Sequence, residues 1–349
     1  MHAKTLRIQV EKAFDYCDIS LVPTVLSEID SRADIKVVTH LFGTVFTVPI
    51  IASPMQDVCE SNMATSLAML GGLGVIHRFM SIDLQVKNYK ESANFLVLHD
   101  IYNYVEDLSR NIACAIGVKG DFLERTEALY KEGCRIFCLD TANGFNISTA
   151  KALKEIRANF PDIYIIAGNT ASHEGYSYLA DLGVDAVRVG IAGGSVCETR
   201  TETGVYMPMA SAVMKCSILG KQAGNYKTAI IADGGIKQPQ DFVKALALGA
   251  DMVMCGSILA GTKQSPGAVL SIEGKLMKLY RGAASFSAQN DFISGTPDYV
   301  EGRESLVPYT GELSKITKRF MGGLQSAMSY MNSKSIVDLQ KNSKFVYLK

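Results

Sequence analysis

Residues 228–257 read TAIIADGGIKQPQDFVKALALGADMVMCGS, and this stretch decides the fold. Its two apolar runs, 228–234 and 252–257, lack polar alternation, as strands covered on both faces do. Between them residues 238–249 carry a helical period, with Phe242 and Leu246 one turn apart and Gly249 where a left-handed terminating residue is wanted.

Outward from this unit the rhythm repeats in VPIIAS (48–53), GVIH (74–77), IACAIGV (112–118), RIFCLDT (135–141), IYIIAGN (163–169) and AVRVGI (186–191). Another helical segment starts at 146–149, with Ala150, Leu153 and Ile156 on one stripe. Eight strand-plus-helix units predict an α/β protein, a (β/α)8 TIM barrel. A doubly wound open sheet is the runner-up, but no GxGxxG follows the first strand. The chain reads as one domain over 1–349, with an N-terminal extension (1–47) that contains a short hairpin around 42–46. More than fifty residues separate the eighth strand from the apolar helical segment 313–331. The span 262–311 is read as a mobile flap over the barrel mouth, with disorder of no catalytic meaning as the alternative.

The chain has 349 residues, 48% hydrophobic and 20% charged, with a formal net charge of zero. No field therefore favours nucleic acid or an anionic membrane. The first residues show no apolar run followed by a small-residue cleavage site, and no segment reaches the length of a membrane span, so the reading is cytoplasmic. Eight cysteines without Cys-x-x-Cys spacing argue against a disulfide framework and a structural zinc site.

Chemistry in such barrels sits at the carboxyl ends of the strands. Those ends supply Ser53 and Met55, His77 and Arg78, Asp140 with Asn143, Asn169, the loop IAGGSVCET (191–199), Asp233 with Gly234 and Gly235, and Gly256 with Ser257. The small residues before Cys197 leave backbone amides free for an anion and present one thiol, either a nucleophile or a space-filling cysteine. DGG and GS offer amides to a phosphate, or merely make tight turns. Asp233 accepts from ribose hydroxyls or caps the next helix. Arg78 meets a ligand phosphate or is a solvated charge.

Assembled in order, GSVCETRTETGV, DTANG, AGN, ADGGI, MVMCGSILAG, YRG (280–282) and EGRESLVPY (301–309) resemble the family of IMP dehydrogenase and GMP reductase over almost the whole chain. The regulatory module of paired CBS motifs found in many dehydrogenases is absent. No Arg-Tyr pair of the kind that activates water in dehydrogenases lies between Gly282 and Glu301. DTANG and the TR...TGV after the cysteine resemble the reductase branch, so the resemblance implies reductive deamination of GMP to IMP and ammonia with NADPH. A dehydrogenase lacking the module, oxidising IMP with NAD and water, is the alternative; SPM (53–55) and VPY (307–309) resemble that branch. A non-catalytic purine-nucleotide sensor is the third reading.

The resemblance implies that Cys197 adds to purine C2, with Thr199 and Glu301 as the proton relay. It implies that Ser53, Ser195, Asp233, Gly234, Gly235, Gly256, Ser257, Gly282, Ala283 and Gly302 hold the nucleotide. Arg78, Asp140, Thr141, Ala142, Asn143, Ile191 and Ala192 would meet the dinucleotide, with Ser31, Arg32, Ser326 and Ser329 reaching it from a neighbouring subunit of a homotetramer. Potassium would sit on the backbone carbonyls of Ala192, Gly194 and Cys197. The chain departs from the family pattern at Ala192, where the loop usually has glycine. It departs again at Gln56, at the pair Ala283–Ala284 and at Asp298.

Overall fold

The computed structural model describes residues 10–99, 111–290 and 300–348. Eight parallel strands close into a barrel: β1 (Ile50–Ala52), β2 (Leu73–Ile76), β3 (Ile112–Ile116), β4 (Ile136–Asp140), β5 (Tyr164–Thr170), β6 (Ala186–Val189), β7 (Ala229–Asp233) and β8 (Met252–Cys255). These are the eight apolar runs of the sequence. The barrel shuts where β8 meets β1, Val253 opposite Ile50. The sheet is thus closed, and the doubly wound alternative falls.

Helices cover the outside: α1 (Ser61–Met69), α2 (Ile82–His99), α3 (Phe122–Lys131), α4 (Ile147–Asn159), α5 (His173–Asp181), α6 (Met209–Lys215), α7 (Pro239–Ala247) and α8 (Leu313–Tyr330). Asp241 starts α7 by accepting the Lys237 and Gln238 amides at 3.0 and 2.9 Å, so the cap is Asp241 rather than Asp233. Phe242 is fully buried on α7, edge-on to Phe320 of α8 with ring centroids 5.8 Å apart. The chain leaves α7 through Gly249 at φ +114°. On α4, Asn146 accepts the Ser148 amide at 2.9 Å, and the buried stripe is Thr149, Ala152, Leu153 and Ile156, one residue round from the Ala150 expected.

Side chains of a strand alternate between lumen and helix layer. The lumen is filled by Cys138, Ile166, Ala186, Ile231 and Met254 among others, and closed below by Phe42 and Phe46 of the hairpin Thr39–Leu41/Thr44–Phe46. Two residues further along β4, β5, β6 and β7, the same alternation brings Asp140, Gly168, Arg188 and Asp233 to the top of the lumen. The apolar filling therefore ends in a polar layer at the mouth.

Within 262–311 the chain forms an antiparallel sheet of β9 (Leu270–Ile272), β10 (Lys275–Arg281) and β11 (Glu304–Pro308). Two cations fasten it, one buried and one partly buried. Lys278 donates to the Thr262 and Ser265 carbonyls at 3.1 and 2.7 Å, and burial pushes its pKa down. Arg281 pairs with Asp57 in the β1–α1 connection, its backbone N and its Nε each donating to Oδ2 at 2.9 Å and its Nη2 to Oδ1 at 2.9 Å. Residues 291–299, which include Asp298, lie outside the described residues. Among the described residues no helix is long and apolar enough to cross a membrane.

Candidate active site

The loop after β6 crosses the end of β7 at backbone distance. The Gly235 amide donates to the Gly193 carbonyl at 2.9 Å, and a Cβ on Gly234, whose φ is +111°, would meet the Gly193 backbone at 2.9 Å. Only glycine suits that crossing. The loop then pairs with a second segment: Cys197 and Gly302 form an antiparallel bridge, flanked by Glu198 N donating to Glu301 O (2.8 Å) and Arg303 N to Val196 O (3.0 Å). The Arg303 side chain adds a bond to the Ser195 carbonyl at 2.8 Å and an ion pair with Glu198 at 3.2 Å.

This pairing joins three reactive groups. The half-buried Cys197 thiol donates to Thr199 Oγ1 at 3.2 Å, and that hydroxyl donates to Glu301 Oε2 at 2.8 Å. A thiol, a hydroxyl and a carboxylate in line can pass a proton away from sulfur. Glu301 lies 102 positions from Thr199 in sequence, so the fold alone brings them together.

Deeper in the mouth, Asp233 Oδ2 accepts from Asn169 Nδ2 (2.8 Å) and from Arg188 Nε and Nη2 (3.1 and 2.9 Å). Arg188 Nη1 donates to Asp140 Oδ1 at 2.8 Å. Burial opposes the charge on Arg188, yet Asp233 and Asp140 hold its pKa well above the ordinary value. Sequence reasoning did not single out Arg188. The signal was one cation inside the apolar run 186–191, which in a barrel strand must point into the lumen.

A cavity of about 640 Å3 gathers most of the expected residues. Ser53, Ser195, Gly234, Gly235, Gly256, Ser257, Gly282, Ala283 and Gly302 line it together with Cys197, Thr199, Glu301 and Asp233. So do Arg78, Asp140, Thr141, Ala142, Ile191, Ala192 and Gly194. Tyr280, also buried there, places its hydroxyl 3.6 Å from Met55 Sδ. Asn143, Ser31, Arg32, Ser326 and Ser329 are not among the lining residues: Asn143 accepts the Phe145 amide at 3.1 Å, and Ser31 caps a short turn through the Ala33 amide at 3.2 Å. His77, 2% exposed, points away to Glu60 at 3.3 Å.

Ala192 holds φ +59°, the left-handed region in which the usual glycine is free of strain. Of the carbonyls expected to hold potassium, on Ala192, Gly194 and Cys197, that of Gly194 accepts the Cys197 amide at 3.3 Å, and potassium is not shown. Among the described residues no group of three or more His, Cys, Asp and Glu could hold a metal ion.

A closed (β/α)8 barrel with a thiol, hydroxyl and carboxylate converging over its carboxyl-terminal mouth defines the class. The chain belongs to the IMP dehydrogenase / GMP reductase domain family, whose model matches residues 13–349. It is 40% identical over 466 positions to an inosine-5'-monophosphate dehydrogenase of Streptococcus pyogenes, covering 97% of this chain and 93% of that one. It is 34% identical over 384 positions to the enzyme of that name from Borreliella burgdorferi (96% and 94% covered). A third, from Nitrosopumilus maritimus, is 30% identical over 462 positions (97% and 96%).

These relatives overturn the expectation of a GMP reductase using NADPH. That expectation rested on the missing module and Arg-Tyr pair together with DTANG and TR...TGV. The match to the Borreliella burgdorferi protein needs only 384 positions against 349 residues here, so a chain without a long insertion also carries the dehydrogenase name. A missing module therefore does not separate the two branches.

Proposed function

We propose that this protein oxidises IMP at purine C2 with NAD and water, giving XMP. The observation that carries the reading is the hydrogen-bonded line Cys197–Thr199–Glu301 at the cavity mouth, in a chain whose quoted relatives are named IMP dehydrogenase. The nucleotide phosphate meets the backbone of Gly234, Gly256 and Ser257 with the Ser195 hydroxyl, Gly235 lining the same wall with its amide on the Gly193 carbonyl, and its ribose meets Asp233. Asn169 Oδ1 and Arg78 Nε are buried there without hydrogen-bond partners, as expected of a site completed by polar ligands.

The thiol proton passes through the Thr199 hydroxyl to the Glu301 carboxylate as sulfur bonds to C2. A nicotinamide dinucleotide, held by Arg78, Asp140, Thr141 and Ala142, supplies the acceptor for the hydrogen leaving C2 with its electron pair. Cys197 is then joined to C2 as a thioimidate. Glu301 releases its proton to solvent, and water adds to C2 as its proton follows the same hydroxyl to Glu301. The C–S bond breaks, sulfur regains that proton, and XMP leaves. The Thr199–Glu301 pair thus takes the part of an Arg-Tyr base in the second half. Ser31, Arg32, Ser326 and Ser329, away from this cavity, contribute to dinucleotide binding only if a neighbouring copy brings them, which is how the homotetramer enters the reading.

The test mixes the full chain with IMP and NAD and follows absorbance of the reduced nicotinamide. Its appearance with XMP, abolished in Cys197→Ala, supports the reading. Loss of reduced cofactor with GMP and NADPH, and none formed from IMP, refutes it.

A further inference from the structure

We infer that Arg188 is a positioning residue that sets the two ligand-facing carboxylates together, so that the nucleotide and dinucleotide halves of the cavity share one buried cation. The inference rests on the functional reading above and adds to it a residue whose guanidinium is bonded to the two carboxylates.

Asp233 ends β7 and Asp140 ends β4, on opposite sides of β5 and β6. The Arg188 side chain, from β6, must pass over β5 to reach Asp140. It can, because the residue of β5 at that level is Gly168: a Cβ there would lie 2.7 Å from Arg188 Cβ and 2.8 Å from the Arg188 carbonyl oxygen. The flat guanidinium then splits its donors, Nε and Nη2 to Asp233 Oδ2 and Nη1 to Asp140 Oδ1. Asn169 completes Oδ2 of Asp233, and Arg78 Nε stands 3.5 Å from Oδ2 of Asp140. Asp233 is thus held through Oδ2, and Asp140 through Oδ1 with Arg78 beside its Oδ2, while both carboxylates line the cavity. A point-charge ammonium cannot serve both carboxylates in this way. Two carboxylates in one buried layer, without the guanidinium, would also repel each other.

The consequence is coupling: loosening one carboxylate frees the guanidinium and shifts the other. In the full chain, Arg188→Lys raises KM for IMP and for NAD by about tenfold each while kcat falls by less than about threefold. A residue that only supported the fold would not split the constants in that way. Asp140→Asn keeps the shape of the layer and tests the coupling even if Arg188→Lys does not fold. It raises KM for NAD directly and KM for IMP by about threefold through the weakened, no longer charge-assisted bond to Nη1. Asp140→Asn leaving KM for IMP unchanged, or Arg188→Lys lowering kcat with both KM values intact, overturns the role of Arg188 while wild-type turnover upholds the functional reading. Wild-type protein that forms no reduced nicotinamide from IMP and NAD refutes the functional reading and takes the coupling with it.

Discussion

Thr199→Val removes one hydroxyl and keeps the side chain's shape. In the structure that hydroxyl bridges sulfur and carboxylate, 3.2 Å from one and 2.8 Å from the other. A hydrogen bond to a charged acceptor is worth about 1.5–3 kcal/mol, which is roughly 10- to 150-fold in rate. The two half-reactions do not suffer alike. A thiol yields its proton far more readily than water does, so formation of the thioimidate tolerates the loss and its hydrolysis does not. Rapid mixing of the variant with IMP and NAD is expected to give a burst of reduced nicotinamide equal to the number of sites, then a steady rate lower by about 100-fold. Acid quenching during the slow phase should trap the nucleotide on the Cys197 peptide, read by mass spectrometry. A steady rate within about threefold of wild type, or a burst lost in step with the steady rate, refutes the relay.

Iodoacetamide near neutral pH should modify Cys197 and the exposed Cys17, and IMP should protect Cys197; buried Cys138 and Cys216, pushed by burial up to about 11 and about 12, should react only after unfolding, as peptide mapping would show. Ala192→Gly relieves a left-handed alanine at φ +59° and should raise stability by up to about 1 kcal/mol in urea unfolding. Asp57→Asn breaks the ion pair that fastens β10 and should cost about 3 kcal/mol, with faster proteolysis of the β9–β11 sheet. Lys278, its pKa lowered by burial from 10.5, makes stability rise with pH between that lowered value and 10.5, where the unfolded chain holds more protons than the folded one. Lys278→Met should flatten that rise in urea midpoints measured across the same window.

The barrel was legible because its strands are uniformly apolar and evenly spaced, and closure then follows from the count. The mouth was legible because strand ends carry the few polar residues of those runs, and the structure collects them in one cavity. Asn143, beside Asp140, differs in that its Oδ1 accepts the Phe145 amide and it does not line the cavity, a local turn bond that spacing alone does not reveal. Arg188 escaped because a single charge in an apolar run has no partner in sequence. Asp140 and Asp233 lie 48 and 45 positions away, and Gly168 matters only once β5 stands between them. The choice between reductase and dehydrogenase was not legible from missing segments, which record the history of a chain more than its chemistry.

The bridge between Cys197 and Gly302 has one more consequence. The sulfur and the carboxylate that serves it hang on two backbones laced together, so any gaping wide enough to admit bulk solvent also pulls the proton acceptor off the thiol. Arming and sealing are therefore a single event.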